Sequence, residues 1–213
     1  MQMRWQEKAG VLLTIALLCG ISMGCSETET NGTNEAAVQY EVLTMLLPEG
    51  FSESTTKGLY LHTDYPEEQS NLYIYTTEKD ADFLQVMAGG QQEFLENLGA
   101  AYRSQYEESP EINMITYQQV TVDGFYAYEI ELAYTLKEVT YHQLEYIIDA
   151  DRTYYVAFSQ VGERDWLESF RTCAASIVFT GDASRPFDVS PDQSGSSMEP
   201  SGQPSGQENQ PEE

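Results

Sequence analysis

The sequence predicts an α+β fold, an antiparallel β-sheet flanked by helices, from three observations. Four segments between residues 111 and 160 alternate apolar and polar side chains, which is the two-residue period of a strand. Short turns, Asp123-Gly124 and Asp149-Ala150-Asp151, separate neighbouring segments as hairpin loops do. Two other segments, 91–108 and 163–177, place their apolar residues at helical spacing. A chain of 213 residues, 41% apolar and 12% aromatic, has room for one such domain with tails.

Taken in order, YEVLTMLLPEGF (40–51) reads as a strand stopped by Pro48 and turned at Glu49-Gly50. GLYLHTDYP (58–66) and NLYIYTTE (71–78) follow as short aromatic strands. Asp80 or Asp82 can cap a helical DFLQVMA, which Gly89-Gly90 interrupts. QQEFLENLGAAYRSQYEE (91–108) then sets Phe94, Leu95, Leu98, Ala101 and Tyr102 on one helical face. INMITYQQVTV, FYAYEIELAYTL, VTYHQLEYIID and TYYVAFSQV fit four antiparallel strands. In ERDWLESFRTCAASI (163–177), Trp166, Leu167, Phe170, Cys173, Ala174 and Ile177 share a face, with Arg164, Asp165, Glu168 and Arg171 opposite. This helix is expected to clamp the sheet.

The two ends differ from the middle. Residues 1–24 hold Arg4 and Lys8 and then VLLTIALLCGISMG, an apolar stretch of 14 residues that is short for a bilayer span and suited to an export signal. Small Gly24 precedes Cys25, with Ser22 and Met23 before it and the polar SETETNGTNE after it. This seam resembles the lipobox of bacterial lipoproteins, in which the cysteine thiol takes a diacylglyceryl group before cleavage. Cys25 is therefore the expected lipid attachment, against ordinary cleavage or a retained anchor. Residues 25–37 read as a flexible tether, 38–181 as the domain, and 182–213 as a disordered acidic Ser/Gly/Pro/Gln tail.

LPEGF (47–51), VDGFYAYEIE (122–131) and WLESFRTCAASIVF (166–179), in that order, look like the PsbP-like fold, DcrB-type envelope lipoproteins included. The resemblance spans about residues 38–180. It implies an α/β/α sandwich around an antiparallel sheet, generally without catalysis, acting as a binding or assembly accessory. Its signatures are turns and packing positions, so no active-site residue carries over.

Charge narrows the partners. Ten basic residues stand against 35 acidic ones, and removal of residues 1–24 takes Arg4, Lys8 and Glu7 and leaves 8 against 34. Such a surface disfavours nucleic acid and anionic lipid head groups. Cys19 and Cys25 lie in the leader region and Cys173 is alone in the body, which excludes an internal disulfide framework.

No catalytic constellation emerges. There is no G-x-S-x-G, and the only histidines are His62 and His142. His142 shares its strand face with Leu144, Tyr146 and Ile148, which reads as a half-buried, hydrogen-bonded side chain. Cys173 reads as a small core residue. Zinc signatures are missing, and so is a Walker loop. Asp80-Ala81-Asp82 and Asp149-Ala150-Asp151 have calcium-like spacing, but Gln85 or Tyr154 stands where an EF-hand needs glycine, and Gln91 or Gln160 where it needs glutamate. No catalytic residue, metal or cofactor is expected.

One surface is suggested by strand alternation. With Tyr126, Tyr128, Ile130, Leu132 and Tyr134 toward the core, Glu129 and Glu131 point the other way, and Tyr141, Gln143, Glu145 and Tyr155 can join them on neighbouring strands. That aromatic, acidic face is the candidate binding face for an envelope protein or ligand. The competing reading is a second face that is covered or merely solvated. The expected protein is thus a lipid-anchored, extracytoplasmic, non-catalytic accessory. A chaperone-like binder of apolar helices and a calcium-responsive envelope sensor are the alternatives.

Overall fold

The computed structural model describes residues 37–79, 87, 89–106 and 110–181, without the side chains of Gln105 and Tyr106. The expected leader, Cys25, the tether up to residue 36, the Asp80-Ala81-Asp82 turn with most of the helix after it, and the acidic tail all lie outside those residues. The strands are β1 (Ala37–Tyr40), β2 (Leu43–Leu46), β3 (Phe51–Glu53), β4 (Leu59–His62), β5 (Asn71–Thr77), β6 (Asn113–Val122), β7 (Phe125–Leu136), β8 (Val139–Asp149), β9 (Thr153–Val161) and β10 (Val178–Phe179). Helix α1 (Gln91–Tyr106) precedes β6, and α2 (Leu167–Ala175) precedes β10.

Seven strands form one antiparallel sheet in the order β3-β4-β5-β9-β8-β7-β6, and three form a second, β1-β2-β10. The α+β class and the four-strand meander are as the alternation indicates. Asp123 and Gly124 both have positive φ, 46° and 80°, as the tight β6–β7 hairpin requires.

The sequence reading differs at three points. Residues 40–51 hold the end of one strand, the whole of a second and the start of a third, because the chain turns at Glu41-Val42 with Glu41 at φ 55°. That turn uses neither glycine nor asparagine, so nothing in the composition marks it. β1 starts at Ala37, the last residue of the expected tether. The closing helix starts at Leu167 rather than at residue 163: the Trp166 amide donates to Gln160 Oε1 (2.9 Å) and the Leu167 amide to Asp165 Oδ1 (3.1 Å), which sets the N-terminus there.

The large sheet is covered on both faces. Under α2 and the small sheet lie Phe51, Leu72, Ile74, Leu144 and Phe158, met by Phe170 of the helix and by Leu43 and Phe179 of the small sheet. Under α1 lie Ile130, Leu132, Tyr134, Ile147 and Tyr155, met by Phe94, Leu98, Ala101 and Tyr102 of the helix. Tyr102 meets Tyr134 edge to face at 5.3 Å. Double coverage explains why β9 is buried along its whole length except Gln160, where a strand with one wet face would alternate. Each fully buried Leu, Ile or Phe contributes about 1.5–3 kcal/mol relative to exposure.

A close approach fixes the β4–β5 corner. Gly58 has φ +79°, and a Cβ built there would stand 2.1 Å from the Ile74 carbonyl oxygen. Glycine lets the Ile74 amide reach the Gly58 carbonyl at 2.8 Å.

Candidate functional site

The strand register divides the expected binding face in two. The β7–β8 loop has two residues, so Leu136 pairs with Val139 and each odd residue of β7 shares a face with an even residue of β8. Glu129 pairs with Tyr146 and Glu131 with Leu144, beneath α2. Tyr141, Gln143 and Glu145 pair with Tyr134, Leu132 and Ile130, and Tyr155 pairs with Ile147, all on the α1 side. The expectation that these six residues share one open surface is therefore corrected. Glu131, Glu145, Tyr141 and Tyr155 are also buried.

On the α2 side five charged or polar side chains converge. Arg171, on the helix face expected to meet solvent, instead reaches down to the sheet. Its Nη2 donates to Glu131 Oε2, and its Nη1 donates to Glu129 Oε1 at 3.2 Å. The other Glu131 oxygen lies 2.8 Å from His142 Nε2. Gln118 Nε2 donates to Glu129 Oε2 at 3.3 Å. The Glu131 side chain is only 6% exposed while that of Arg171 is 40% exposed, so the guanidinium caps the carboxylates from the wet side. Desolvation alone would lower the Arg171 pKa, but its hydrogen bond to Glu131 and the charges of Glu131 and Glu129 hold it above the ordinary value. The buried carboxylate has both oxygens engaged, one by a cation and one by an imidazole.

Beside this network is a cleft of about 260 Å³ between α2 and the β6–β7 corner. Val120, Val122, Tyr146 and Ile177 give it apolar walls, and Glu129 and Arg171 give it a charged end. Burial, then the charge of Glu129, pushes the Tyr146 phenol up to about 12, so it stays a neutral hydrogen-bonding group at ordinary pH. The arrangement can seat a small apolar group with a polar end.

On the α1 side Glu145 lies among tyrosines. Tyr75 and Tyr155 stack at 4.5 Å and 4°, and Tyr134 and Tyr141 at 5.0 Å and 11°. Glu145 Oε1 has no hydrogen-bond partner. Burial pushes the Glu145 carboxyl up to about 8, so it is neutral in the folded protein at pH 7. Burial, followed by the Glu145 charge, raises the Tyr75 phenol well above its ordinary value.

The remaining single residues fall where their surroundings suggest. His62 is buried, its Nδ1 accepts from the Asp64 amide at 3.1 Å, and its ring lies 5.2 Å from that of Trp166. His142 is partly buried and bonded, and Cys173 is in the core. At the Asp149-Ala150-Asp151 turn the resident cation is the Lys79 ammonium, 2.9 Å from Asp149 Oδ1 and 2.9 Å from the Ala150 carbonyl. Among the described residues no three His, Cys, Asp or Glu side chains group as metal ligands would.

Arg171 is the residue that sequence reasoning missed. The available signal was electrostatic: two acids at i and i+2 on a covered strand face require a cation from the layer above, and α2 supplies one.

No family model matches the chain, and no curated protein matches it significantly. Among solved structures it is similar to cyanobacterial PsbP (CyanoP) from Synechocystis sp. PCC 6803, at 16% identity and TM-score 0.48 over 72% of this chain and 98% of that one. It is also similar to protein PA94 of Pseudomonas aeruginosa, at 10% identity and TM-score 0.44 over 69% and 98% of the two chains. LpqN, involved in cell envelope biogenesis of Mycobacterium tuberculosis, matches at 12% identity and TM-score 0.42 over 70% and 91%. Among the described residues no helix is long and apolar enough to cross a membrane.

Proposed function

We propose that this chain is a lipid-anchored, extracytoplasmic binding or assembly accessory, held at the membrane through Cys25 and without catalysis of its own. One observation carries the reading: a basic, then apolar leader ends at Gly24-Cys25, and the sequence turns polar at once. The first described strand begins at Ala37. Residues 26–36, at about 3.5 Å each when extended, keep that strand within about 40 Å of the lipid. Acyl chains contribute about 0.8 kcal/mol per buried methylene, so two or more hold a protein at the bilayer durably.

The surface we assign to recognition is the cleft at the β6–β7 corner, with Val120, Val122 and Ile177 as walls and Arg171 and Glu129 at its end. A small apolar side chain of an envelope protein with a neighbouring hydrogen-bonding group matches that lining.

Fractionation of cells expressing the parent and Cys25→Ala tests the reading. The parent should be recovered in membranes with a diacylglyceryl-modified N-terminal Cys25 by mass spectrometry, and Cys25→Ala should not be processed at that position. Recovery of the intact leader, or of an unmodified Cys25 thiol at the N-terminus, overturns it.

A further inference from the structure

β6 lies at the margin of the seven-stranded sheet, and among the described residues no strand pairs with its outer edge. Its sequence, NMITYQQVTV, has no charged side chain and no proline, in a chain that is 21% charged. Open strand edges are templates for further pairing, and proteins commonly blunt them with lysine, proline or a bulge. β6 has only a bulge, between Met114 and Thr116. Beyond it, Thr116 to Val122 run in unbroken register against β7. The opposite margin, β3, is three residues long and carries Glu53. Of the large apolar side chains exposed among the described residues, Ile115 (48%) lies in β6 and Tyr126 (42%) is the cross-strand neighbour of Thr121.

We propose that the outer edge of β6 pairs antiparallel with β6 of a second copy of this chain, about a two-fold axis through Gln119. A two-fold axis perpendicular to the sheet keeps each face on its own side, and residues directly opposite share a face. Only like-faced residues can then oppose, and centring on Gln119 is the register that uses the whole unbroken run. It sets Gln119 opposite its twin, Gln118 opposite Val120, Tyr117 opposite Thr121, and Thr116 opposite Val122. No like charges oppose, the paired Gln119 amides can bond each other, and Tyr117 lies over Thr121. A cationic extended peptide from another protein is the rival occupant: the acidic chain as a whole attracts it, but an edge with no charged side chain offers it no ion pair. The charge of the whole chain, −25, makes the two occupants separable. Repulsion between two acidic copies is screened by salt, so self-pairing strengthens with ionic strength, whereas attraction to a cationic peptide weakens.

The test uses the full-length chain in its own membrane with Gln119→Cys, oxidised by copper phenanthroline and run without reductant. The parent, with Cys25 and buried Cys173 unchanged, sets the background. Directly opposed residues of an antiparallel ladder have Cα atoms about 4.5–5.5 Å apart, within disulfide reach. A product of twice the chain's mass is expected, forming about ten-fold faster than with Ser52→Cys on β3. Its yield should rise with added salt. It should disappear when exposed Thr121 is changed to lysine, while the melting temperature of Thr121→Lys stays at the parent's. A rate no greater than that of Ser52→Cys overturns the proposal, and so does persistence in the Thr121→Lys background. A product of any mass other than twice the chain's also overturns it and gives the edge to a foreign strand.

Discussion

Arg171 of the closing helix holds Glu131 of β7 side chain to side chain, and Glu131 meets His142 of β8 through its other oxygen. A helix that packs by its apolar stripe is thereby also fixed by charge to β7, whose Glu131 in turn bonds β8. The network sits where α2 borders the cleft, so it sets the position of one cleft wall.

Loss of the cation should be costly. Arg171→Met leaves the Glu131 carboxylate buried with His142 as its remaining partner. Because the Arg171 side chain is 40% exposed, the expected loss is about 1–3 kcal/mol, below that of a fully enclosed pair. Urea unfolding followed by Trp166 fluorescence measures it. Glu131→Gln added to Arg171→Met should recover part of the loss, because the stranded charge is then gone.

Stability should depend on pH through Glu145. The folded carboxyl keeps its proton up to about pH 8, whereas the unfolded chain releases it near the ordinary value of 4.5. Between these values the unfolded state binds fewer protons, so rising pH favours unfolding, by up to about 1.4 kcal/mol per pH unit. This contribution is complete below pH 4.5 and is lost as pH rises through about 8. Glu145→Gln should flatten the dependence, read as urea midpoints between about pH 5 and pH 9. Parallel curves for parent and variant would show that another group sets the slope.

Two glycines with similar backbone angles should respond differently to alanine. Gly58→Ala must place a methyl group 2.1 Å from the Ile74 oxygen, whereas a Cβ at Gly162, φ +83°, meets nothing within 4 Å. Gly162→Ala carries only the left-handed conformational cost of about 1–2 kcal/mol. Gly58→Ala adds a backbone clash and is expected to cost at least about 3 kcal/mol, enough to deplete folded protein in expression trials. Thermal melts of the two variants compare them directly.

The Asp123 side chain should hold the last strand in place. Its Oδ2 accepts from the Phe179 amide at 2.7 Å. Asp123→Ala is expected to cost about 1–2 kcal/mol and to raise hydrogen exchange at the Phe179 amide more than at amides of β9.

The meander was legible because each of its strands is long and two of its three turns are recognisable. α1 was legible because Phe94, Leu98, Ala101 and Tyr102 fall on one stripe, all of them buried. The candidate face was not legible, because face assignment across a hairpin depends on the parity of its loop. The two-residue turn at Lys137 and Glu138, φ 50° and 67°, sends Glu129 and Glu145 to opposite sides. Composition signals a turn there only weakly, since neither residue is a glycine or an asparagine. The three-stranded sheet was hidden for a related reason: β10 has two residues, too few for any periodicity to register.

That small sheet also orders events in time. β2 lies between β1 and β10, the first and last strands among the described residues. The Thr180 amide donates to the Val42 carbonyl at 2.7 Å, and the Ser176 hydroxyl accepts from the Leu46 amide at 2.8 Å. A polypeptide delivered from its amino terminus therefore cannot finish this layer until nearly the whole body has emerged, and β2 waits with one flank open. Truncation just before Val178 would leave that flank permanently unzipped, and a chain stalled there would stay sticky and vulnerable to proteases.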